Sequence, residues 1–329
     1  MERKVDLGNI VYNVKKLKRM TTAKFCAVVK CNAYGLGAVK VAQAIYDEVD
    51  CFAVANAYEA EQLVSAGIDK EIIVLSSFYD GRNFPPNVIF TAYNMDSANT
   101  LINSSRRFAV KVNTGMNRLG FSPDECNRII KTIPKYKIHS IFSHFSSLKR
   151  AYEQLLQFNK VKTTALKHIC ASNFTELSKE YHLNMVRCGL ALYGVGVNGL
   201  RQVLSVTGRI INLNTVKCGG YIGYGDYCVD HDVTVATVDV GYGDGLKRIP
   251  DYSTCFLYYN DIPCKILGQV CMDSCMIAIP IGIKAKIGDE IEVIGENNTA
   301  EKLAKALNTI PYEVLTSFSQ ARGDLIYIK

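Results

Sequence analysis

Eight short apolar segments, separated by amphipathic ones, constrain the fold of the first two-thirds of this 329-residue chain more than any other feature. Most are rich in β-branched or aromatic residues and end on a polar residue, as buried strands of a parallel sheet do. They end at Lys30, Asn56, Ser77, Phe90, Asn113, His144, Ser172 and Arg187. Helical periodicity lies between them at 39–49, 57–66, 95–102, 123–133, 152–166 and 175–181. This alternation predicts an α/β fold, a closed (β/α)₈ barrel.

Beyond about Val206 the pattern changes to a period of two residues. The segments VTVATVDV, CFLYYNDIPCKILGQV and DEIEVIGENN predict strands, joined by tight turns at YGDG, YNDI and GENN. One helix is expected at 299–307, because a threonine is a good N-cap. We therefore predict a barrel over 8–205 and a mostly β domain over 206–329, to which residues 1–7 contribute an N-terminal strand.

Composition excludes several classes of protein. The chain is 48% hydrophobic but has no apolar run of about 18 residues, and its charged N-terminus has no apolar segment behind it, so we expect a cytoplasmic protein. The net charge of +7 is spread along the chain, which suits small anionic ligands better than nucleic acid. Twelve cysteines occur without a CxxC pair. Six in apolar surroundings are expected to be small buried hydrophobic residues: Cys26, Cys51, Cys170, Cys188, Cys218 and Cys264.

The first candidate for chemistry is Lys30, in the stretch AVVKCNAYGLG. Burying an ammonium group is costly, so a lysine at the end of a buried strand tends to lose its proton and become a nucleophile. Such amines form Schiff bases with carbonyl compounds, including pyridoxal phosphate. The stretch alone is equally compatible with a lysine that merely reaches solvent beside a glycine turn.

Further polar residues lie where the strands of a barrel end. Lys111, His144, Ser172 and Arg187 fall inside or at the ends of predicted strands, and barrel active sites are built at that rim. Arg187 needs an acceptor, either a structural carboxylate or a ligand atom. A lone histidine is more often a core residue than a catalyst.

Two more motifs add candidates. Lys111 and Arg118 flank a turn in KVNTGMNRLGF, where they could be a solvated face or could hold an anion between them. Tyr224 lies between two glycines in GYIGYGDYC, and it would need a hydrogen-bond partner or a nearby cation to act as a base.

Together these motifs resemble those of the bacterial alanine racemases. The resemblance rests on AVVKCNAYGLG, KVNTGMNRLGF, IFSHFSS, MVRCGLALYG, GYIGYGDYC, VDVGYGDG, GQVCMDS and NTIPYEV, in that order along nearly the whole chain. It implies a fold-type III pyridoxal 5'-phosphate enzyme, an isomerase, with a barrel and a β domain. It also implies a homodimer whose active sites are shared between subunits, and the supply of D-alanine for peptidoglycan.

Roles follow residue by residue from the resemblance. Lys30 holds pyridoxal phosphate in a Schiff base and is the base on the D-side of the substrate. Tyr224 of the other subunit is the base on the L-side, with His144 hydrogen-bonded to it. Arg187 faces the pyridine nitrogen, which it leaves unprotonated because a guanidinium donates and does not give up its proton.

The remaining roles concern binding. The phosphate positions are Tyr34, Ser172, Gly189, Leu190 and Tyr312. Arg118 lies near the phenolic oxygen of the cofactor, and Lys111 matches a lysine that is carbamylated in many members. Met272 of the partner helps to hold the substrate carboxylate through its backbone, while Tyr242 and Tyr312 narrow the entrance and the pocket.

The chain departs from the family pattern at five positions: Leu36, Asn113, Ala171, Cys188 and Gln269. None of these is a reacting group, so we expect effects on affinity and rate more than on reaction type. The alternatives are a serine or broad-specificity racemase, and a non-catalytic pyridoxal phosphate carrier on the same barrel. The β domain with its tyrosine argues against the carrier, and Arg187 argues against a decarboxylase of basic amino acids.

Overall fold

The computed structural model describes residues 1–76, 78–320 and 322–329. The chain forms two compact units, here called the barrel unit and the β unit. The barrel unit comprises Ile10–Ala33 and Gly37–Arg201, and the β unit comprises Met1–Asn9, Tyr34–Leu36 and Gln202–Lys329. The first strand of the chain, β1 (Glu2–Asp6), belongs to the β unit.

The barrel unit contains eight parallel strands in one sheet. They are β2 (Lys24–Val28), β3 (Cys51–Val54), β4 (Glu71–Val74), β5 (Val88–Ala92), β6 (Phe108–Lys111), β7 (Ile138–Phe142), β8 (Leu166–His168) and β9 (Met185–Cys188). Their spatial order is β8-β7-β6-β5-β4-β3-β2-β9. A parallel bridge between Ala171 and Arg187 joins the two ends of this order. The predicted (β/α)₈ architecture is therefore confirmed, as is the mostly β region that follows it.

Several predicted strand ends lie beyond the strands of the structure, because the buried segments continue past the last paired residue, as at Val29 and Ser143. Lys30 lies two residues beyond β2, His144 two beyond β7 and Ser172 four beyond β8. The predicted end of the third strand, Ser77, lies outside the described residues.

The helices of this part of the chain follow the predicted order, but the helix predicted at 39–49 ends at Ala44, where a 3₁₀ turn takes over, and none forms near residue 175. They span Leu7–Lys18, Ala38–Ala44, Ala57–Ser65, Met95–Ile102, Pro123–Thr132 and Ala151–Asn159. Asn56, Asn94 and Ser122 cap three of them by accepting a backbone N–H.

The helix predicted at 175–181 is wrong, and only 3₁₀ turns occur there, at Ser172–Phe174 and Lys179–Tyr181. Side chains take up the backbone groups that a helix would need: His182 contacts the Thr175 carbonyl, and the Ser178 hydroxyl accepts the Glu180 N–H. The helix predicted to reach residue 166 stops at Asn159.

The β unit is an antiparallel sheet with one parallel pair. Its further strands are β10 (Leu204–Val216), β11 (Tyr221–Ile222), β12 (Tyr227–Cys228), β13 (Val233–Val238), β14 (Phe256–Tyr259), β15 (Ile262–Leu267), β16 (Cys275–Ile279), β17 (Glu290–Ile294) and β18 (Ile326–Ile328). The main order is β13-β16-β15-β14-β17-β10-β1-β18, and β13 also pairs with β10. Strands β11 and β12 form a separate hairpin. The tight turn predicted at YNDI is present, with Asn260 and Asp261 both left-handed at φ 45° and 67°.

Two α-helices, not one, interrupt the part of the β unit that the structure describes. The predicted one spans Ala300–Ala306, with Thr299 as its N-cap. A second spans Pro311–Ser317, with proline in its first turn, a position where the missing N–H costs nothing. Within the described residues no helix has both the length and the apolar character that spanning a bilayer requires.

The twelve cysteines are free thiols. Five of the six expected to be buried are buried, but Cys218 is exposed, because it lies in the turn after β10. There its backbone N–H bonds the Asp232 carboxylate and its thiol bonds the Asp230 carbonyl.

Candidate active site

The turn after β2 is left-handed over four consecutive residues that are not glycine. Cys31, Asn32, Ala33 and Tyr34 have φ between 51° and 56°, a conformation that costs roughly 1–2 kcal/mol per residue. Lys30 stands at the start of this turn with its side chain partly exposed. Strain of this kind persists only where the surroundings enforce it.

Glu59 is one of the residues that enforce the turn. Its Oε1 accepts the Cys31 N–H at 2.7 Å and its Oε2 accepts the Ala55 N–H at 2.7 Å. One buried carboxylate thus ties the loop after β2 to the loop after β3. Sequence reasoning missed Glu59, because nothing local distinguishes it from a solvated helix residue.

Lys111, the last residue of β6, lies in a concentration of positive charge. It is buried, and burial together with the charges of Arg187, Arg118 and Lys30 holds its pKa well below that of an ordinary lysine. Its Nζ lies 4.5 Å from the centre of the Phe142 ring. The amine is therefore predominantly neutral over a wider range of pH than an exposed lysine.

His144 experiences the same group of charges. Part of its surface is exposed, yet protein atoms surround it closely, and this burial, followed by Arg187 and Lys111, holds its pKa well below the usual histidine value. The ring is consequently neutral near pH 7 and has one nitrogen that can accept a hydrogen bond.

Arg187 is buried in β9 and is held by three acceptors, of which the Ile169 carbonyl is the most distant, 3.5 Å from Nη2. Its Nη1 donates to His168 Nδ1 and its Nη2 donates to the Ser143 carbonyl at 2.7 Å. Its guanidinium carbon lies 5.2 Å from the centre of the Phe142 ring. His168, which sequence reasoning did not single out, stacks on the same ring at 5.0 Å. No local motif marks His168, since it is the junction of β8 with β9, closed by the bridge between Ala171 and Arg187, that brings it to Arg187.

Ser172 forms a small donor site with the turn after β9. Its Oγ accepts the N–H groups of Gly189 and Ala191 at 2.9 and 3.2 Å. Because these bonds occupy its lone pairs, its O–H is available to donate to a ligand. Gly189 begins the 3₁₀ turn Leu190–Tyr193, so Ser172, Gly189 and Leu190, three of the five residues predicted to bind phosphate, lie together.

Arg118 is exposed in the loop after β6, where Asn113 organises the turn. Asn113 Oδ1 accepts the N–H groups of Gly115 and Asn117, each at 3.0 Å. The departure from the family pattern at Asn113 therefore still supplies the acceptor that the turn needs. Among the other departures, Leu36 and Cys188 are buried, and Gln269 donates to the Pro250 carbonyl at 3.2 Å.

In the β unit, two predicted cofactor residues meet. The rings of Tyr34 and Tyr312 lie 5.7 Å apart. The glycine between Tyr34 and Leu36 is required there, because a Cβ on Gly35 would lie 2.4 Å from Ser319 Cβ. Burial raises the pKa of Tyr312, so its hydroxyl stays protonated and can donate.

Three further predicted residues of the β unit are exposed: Tyr224, Tyr242 and Met272. Backbone bonds fix the loops of the last two together, from Tyr242 N to Cys271 O and from Gly243 N to Met272 O, both 2.9 Å. Tyr224 is 67% exposed at the tip of the hairpin formed by β11 and β12, between two left-handed glycines. It also borders a cavity of about 300 Å³ that Tyr252 and Gln269 help to line.

Both parts of the chain match known domain families. Residues 5–197 match the family described as "Alanine racemase, N-terminal domain", and residues 203–326 match "Alanine racemase, C-terminal domain". The chain belongs to the alanine racemase family. The resemblance deduced from the motifs is therefore confirmed, and so is the enzyme class, an isomerase.

Individual alanine racemases are similar over their full length. That of Clostridium tetani is 32% identical, with 99% of this chain and 94% of the relative covered. Among solved structures, the alanine racemase of Bartonella henselae with covalently bound pyridoxal phosphate has a TM-score of 0.89 and 30% identity, covering 99% of each chain. The biosynthetic alanine racemase of Pseudomonas aeruginosa has a TM-score of 0.91 and 25% identity, covering 100% of this chain and 99% of that one. The alanine racemase family depends on pyridoxal phosphate, which supports the predicted cofactor.

Proposed function

We propose that this chain interconverts L- and D-alanine with pyridoxal phosphate, using one base on each face of the substrate. The observation that carries the proposal is the convergence of charge at one end of the barrel. The charges of Lys30, Arg118 and Arg187 all lower the pKa of Lys111, and the same three charges lower the pKa of His144. Such a concentration of positive charge is stabilised by an anionic ligand.

The donor groups fit the cofactor. Ser172 offers a hydroxyl hydrogen beside the turn that begins at Gly189, and Tyr34 and Tyr312 bring two phenol groups together. These neutral donors suit a phosphate group. Arg187 suits the pyridine nitrogen because it donates and keeps its own proton.

The chemistry divides between two bases. When bound, pyridoxal phosphate supplies an electron sink that makes the Cα–H bond of the amino acid acidic. Lys30 Nζ binds the cofactor at its carbonyl carbon and, once released by substrate, moves a proton on the D-side. Tyr224 of the partner subunit moves a proton on the L-side. The neutral ring of His144 can accept the Tyr224 hydroxyl hydrogen and so orient it.

The exposure of the β-unit residues supports a shared site. Tyr224 is 67% exposed and Met272 is 56% exposed, although both are assigned to substrate chemistry. Residues of this kind are accounted for if they complete the site of a second copy in a homodimer.

Mixing two inactive variants tests the shared site. Lys30→Ala and Tyr224→Phe homodimers should each be inactive. Unfolding and refolding them together should restore about a quarter of the wild-type activity, since half of the dimers are then mixed and each has one intact site. If both residues of a site came from one chain, every site would keep a lesion and no activity would return.

Attachment at Lys30 is tested by mass spectrometry. Borohydride reduction of the holoenzyme should fix the cofactor on the peptide that contains Lys30. Lys40→Ala, which removes a neighbouring exposed lysine, is the control and should label normally. A label on another lysine would remove Lys30 from its role.

Racemisation assayed with alanine, serine, lysine and arginine decides the substrate. We expect alanine to be preferred, because Tyr312 narrows the pocket. A preference for serine, or equal rates for all four, would identify the broader racemase instead.

We also propose a cytoplasmic enzyme that supplies D-alanine for peptidoglycan. A strain without its gene should then need D-alanine to grow.

A further inference from the structure

A chain of hydrogen bonds continues from Arg187 through the barrel beyond the site already described. His168 Nε2 lies 3.0 Å from Ser140 Oγ, and Ser140 Oγ lies 2.9 Å from His139 Nδ1. His139 Nε2 in turn lies 3.1 Å from Glu71 Oε2. The chain thus links four strands, β9, β8, β7 and β4.

A bulge in β7 explains how two successive residues join the same chain. Phe108 of β6 pairs with Ile138, but the next residue, Ala109, pairs with Ser140, so His139 has no partner of its own. Side chains normally alternate between the two faces of a strand, and a bulge re-aims one of them. His139 and Ser140 can therefore bond to each other.

The chemistry of Arg187 fixes the direction of the first bond. A guanidinium only donates, so His168 Nδ1 must be the acceptor and the proton of the neutral ring must be on Nε2. Burial and the charge of Arg187 hold the pKa of His168 well below the usual value, which keeps that ring neutral.

An arrangement in which each member donates once to the next then runs from His168 to Glu71. Ser140 Oγ accepts from His168 Nε2, so its own hydrogen is free to go to His139 Nδ1. That leaves the proton of His139 on Nε2, from which it donates to the Glu71 carboxylate. The hydrogen bond from His139, together with Arg107, lowers the pKa of Glu71 to about 2, so Glu71 remains an acceptor across the neutral range.

Most of this hydrogen-bonded path is buried, so breaking one of its bonds would leave a polar group without solvent to replace its partner. Arg187 is 4% exposed, His168 and Ser140 are fully buried, and His139 is 6% exposed, whereas the Glu71 side chain is 30% exposed. A buried donor without an acceptor is costly, so each member constrains the next.

We propose that Ser140, His139 and Glu71 are positioning residues that reinforce the Nε2–H tautomer of His168 that Arg187 requires, and thereby hold the Arg187 guanidinium in one orientation. This inference rests on the proposed function for its kinetic consequence but not for its geometry. The new element is the path beyond His168, which connects the buried arginine to a carboxylate at the protein surface.

Histidine tautomers can be read directly in the holoenzyme. The chain has five histidines, so a long-range ¹H–¹⁵N spectrum of the holoenzyme with labelled histidine is simple enough to assign. His139→Phe and His168→Gln each remove one signal and identify it. We expect a proton on Nε2 and a bare, accepting Nδ1 in both rings, as the hydrogen bonds require; a proton on Nδ1 of either ring at pH 7 would overturn the proposal.

Variants then test whether the path positions Arg187. Ser140→Ala removes the connecting hydroxyl and should shift the ring nitrogen signals of both His139 and His168. It should lower kcat for racemisation about tenfold, as loss of one buried hydrogen bond does, with little change in KM. His139→Phe should behave similarly, while His139→Gln, which keeps a donor and an acceptor, should recover part of kcat.

Arg107→Gln is the matched control. Arg107 is exposed and pairs with the other oxygen of Glu71, so its loss removes an ion pair at the surface without interrupting the path. It should change neither the histidine signals nor kcat. If Ser140→Ala and His139→Phe fold and keep the wild-type kcat, the positioning role is wrong. If the tautomers are as expected but no amino acid is racemised, the proposed function fails and the hydrogen-bonded path stands.

Discussion

The rings of Tyr34 and Tyr312 lie 5.7 Å apart and are inclined at 36°, although 277 residues separate them in the sequence. Both were predicted to bind the phosphate of the cofactor, and both belong to the β unit. Each tyrosine has two parts: the rings pack against each other as hydrophobic groups, and the hydroxyl groups remain able to donate to a phosphate.

Removing either hydroxyl should weaken cofactor binding while the ring contact persists. We expect Tyr34→Phe and Tyr312→Phe each to raise the dissociation constant of pyridoxal phosphate about 10-fold or more, as for a hydrogen bond to a charged group. Fluorescence titration of the cofactor-free protein measures this. Tyr136→Phe, which alters a tyrosine 74% exposed, serves as control and should bind normally. Unchanged affinity in both variants would exclude the two phenols from the phosphate site.

Ser172→Ala should have two separable effects. It leaves the N–H groups of Gly189 and Ala191 without their acceptor and removes the hydroxyl hydrogen that we assign to phosphate. We expect a loss of about 1–3 kcal/mol in the free energy of unfolding and weaker cofactor binding. Urea unfolding without cofactor measures the first, and titration the second. A variant that loses stability but binds cofactor normally would show that Ser172 only holds the turn.

Lys111 should make stability depend on pH. Its pKa in the folded chain is lowered, whereas the unfolded chain has a lysine with the ordinary value of 10.5. Between these two values the unfolded chain binds more protons, so the free energy of unfolding rises with pH, by at most about 1.4 kcal/mol per pH unit. The stability that Lys111 contributes is fully present above the unfolded-chain pKa of 10.5, and it is lost as the pH falls from there towards the lowered pKa of the folded chain.

Lys111→Met isolates this effect. Urea unfolding of the cofactor-free protein at pH 7, 8 and 9, in buffer without carbon dioxide, should show a smaller increase with pH in the variant. Lys149→Met, at an exposed lysine, should follow the wild type. Parallel curves for Lys111→Met and the wild type would contradict the lowered pKa. The same neutral amine should react with bicarbonate, so ¹³C-bicarbonate should give a carbamate signal that Lys111→Arg lacks.

Asp244 should stabilise the β unit through the turn that contains Tyr242. Its carboxylate is 2% exposed, accepts the Gly241 N–H at 3.0 Å and pairs with Arg322 through two bonds of 2.9 Å. We expect Asp244→Ala to lower the free energy of unfolding by about 1–3 kcal/mol, because the buried Gly241 N–H loses its acceptor, whereas the Arg322 side chain is 60% exposed and solvent can replace its partner. Asp273→Ala removes the exposed carboxylate that also pairs with Arg322 and should cost about 0–1 kcal/mol. If both variants lost the same free energy of unfolding, the burial of Asp244 would not be the reason for its contribution to stability.

The sequence by itself determined the order of strands and helices and most of the candidate residues. The alternation of apolar and amphipathic segments sufficed for the barrel, because periodicity is a local consequence of which face is buried. The helix at 95–102 is present at the predicted bounds, since Asn94 and Ser97 cap each other locally. The motifs around Lys30, Lys111, Arg187 and Tyr224 sufficed for the family.

Only the tertiary structure decided which groups meet across distant strands. Glu59 holds the left-handed turn beside Lys30 through contacts that no local pattern records. The helix predicted at 175–181 is missing for a more local reason, since His182 and Ser172 take up the polar groups of Thr175. His168, Ser140 and His139 join Arg187 through strand pairing and a bulge, which depend on register across the barrel and not on the residues nearby in sequence.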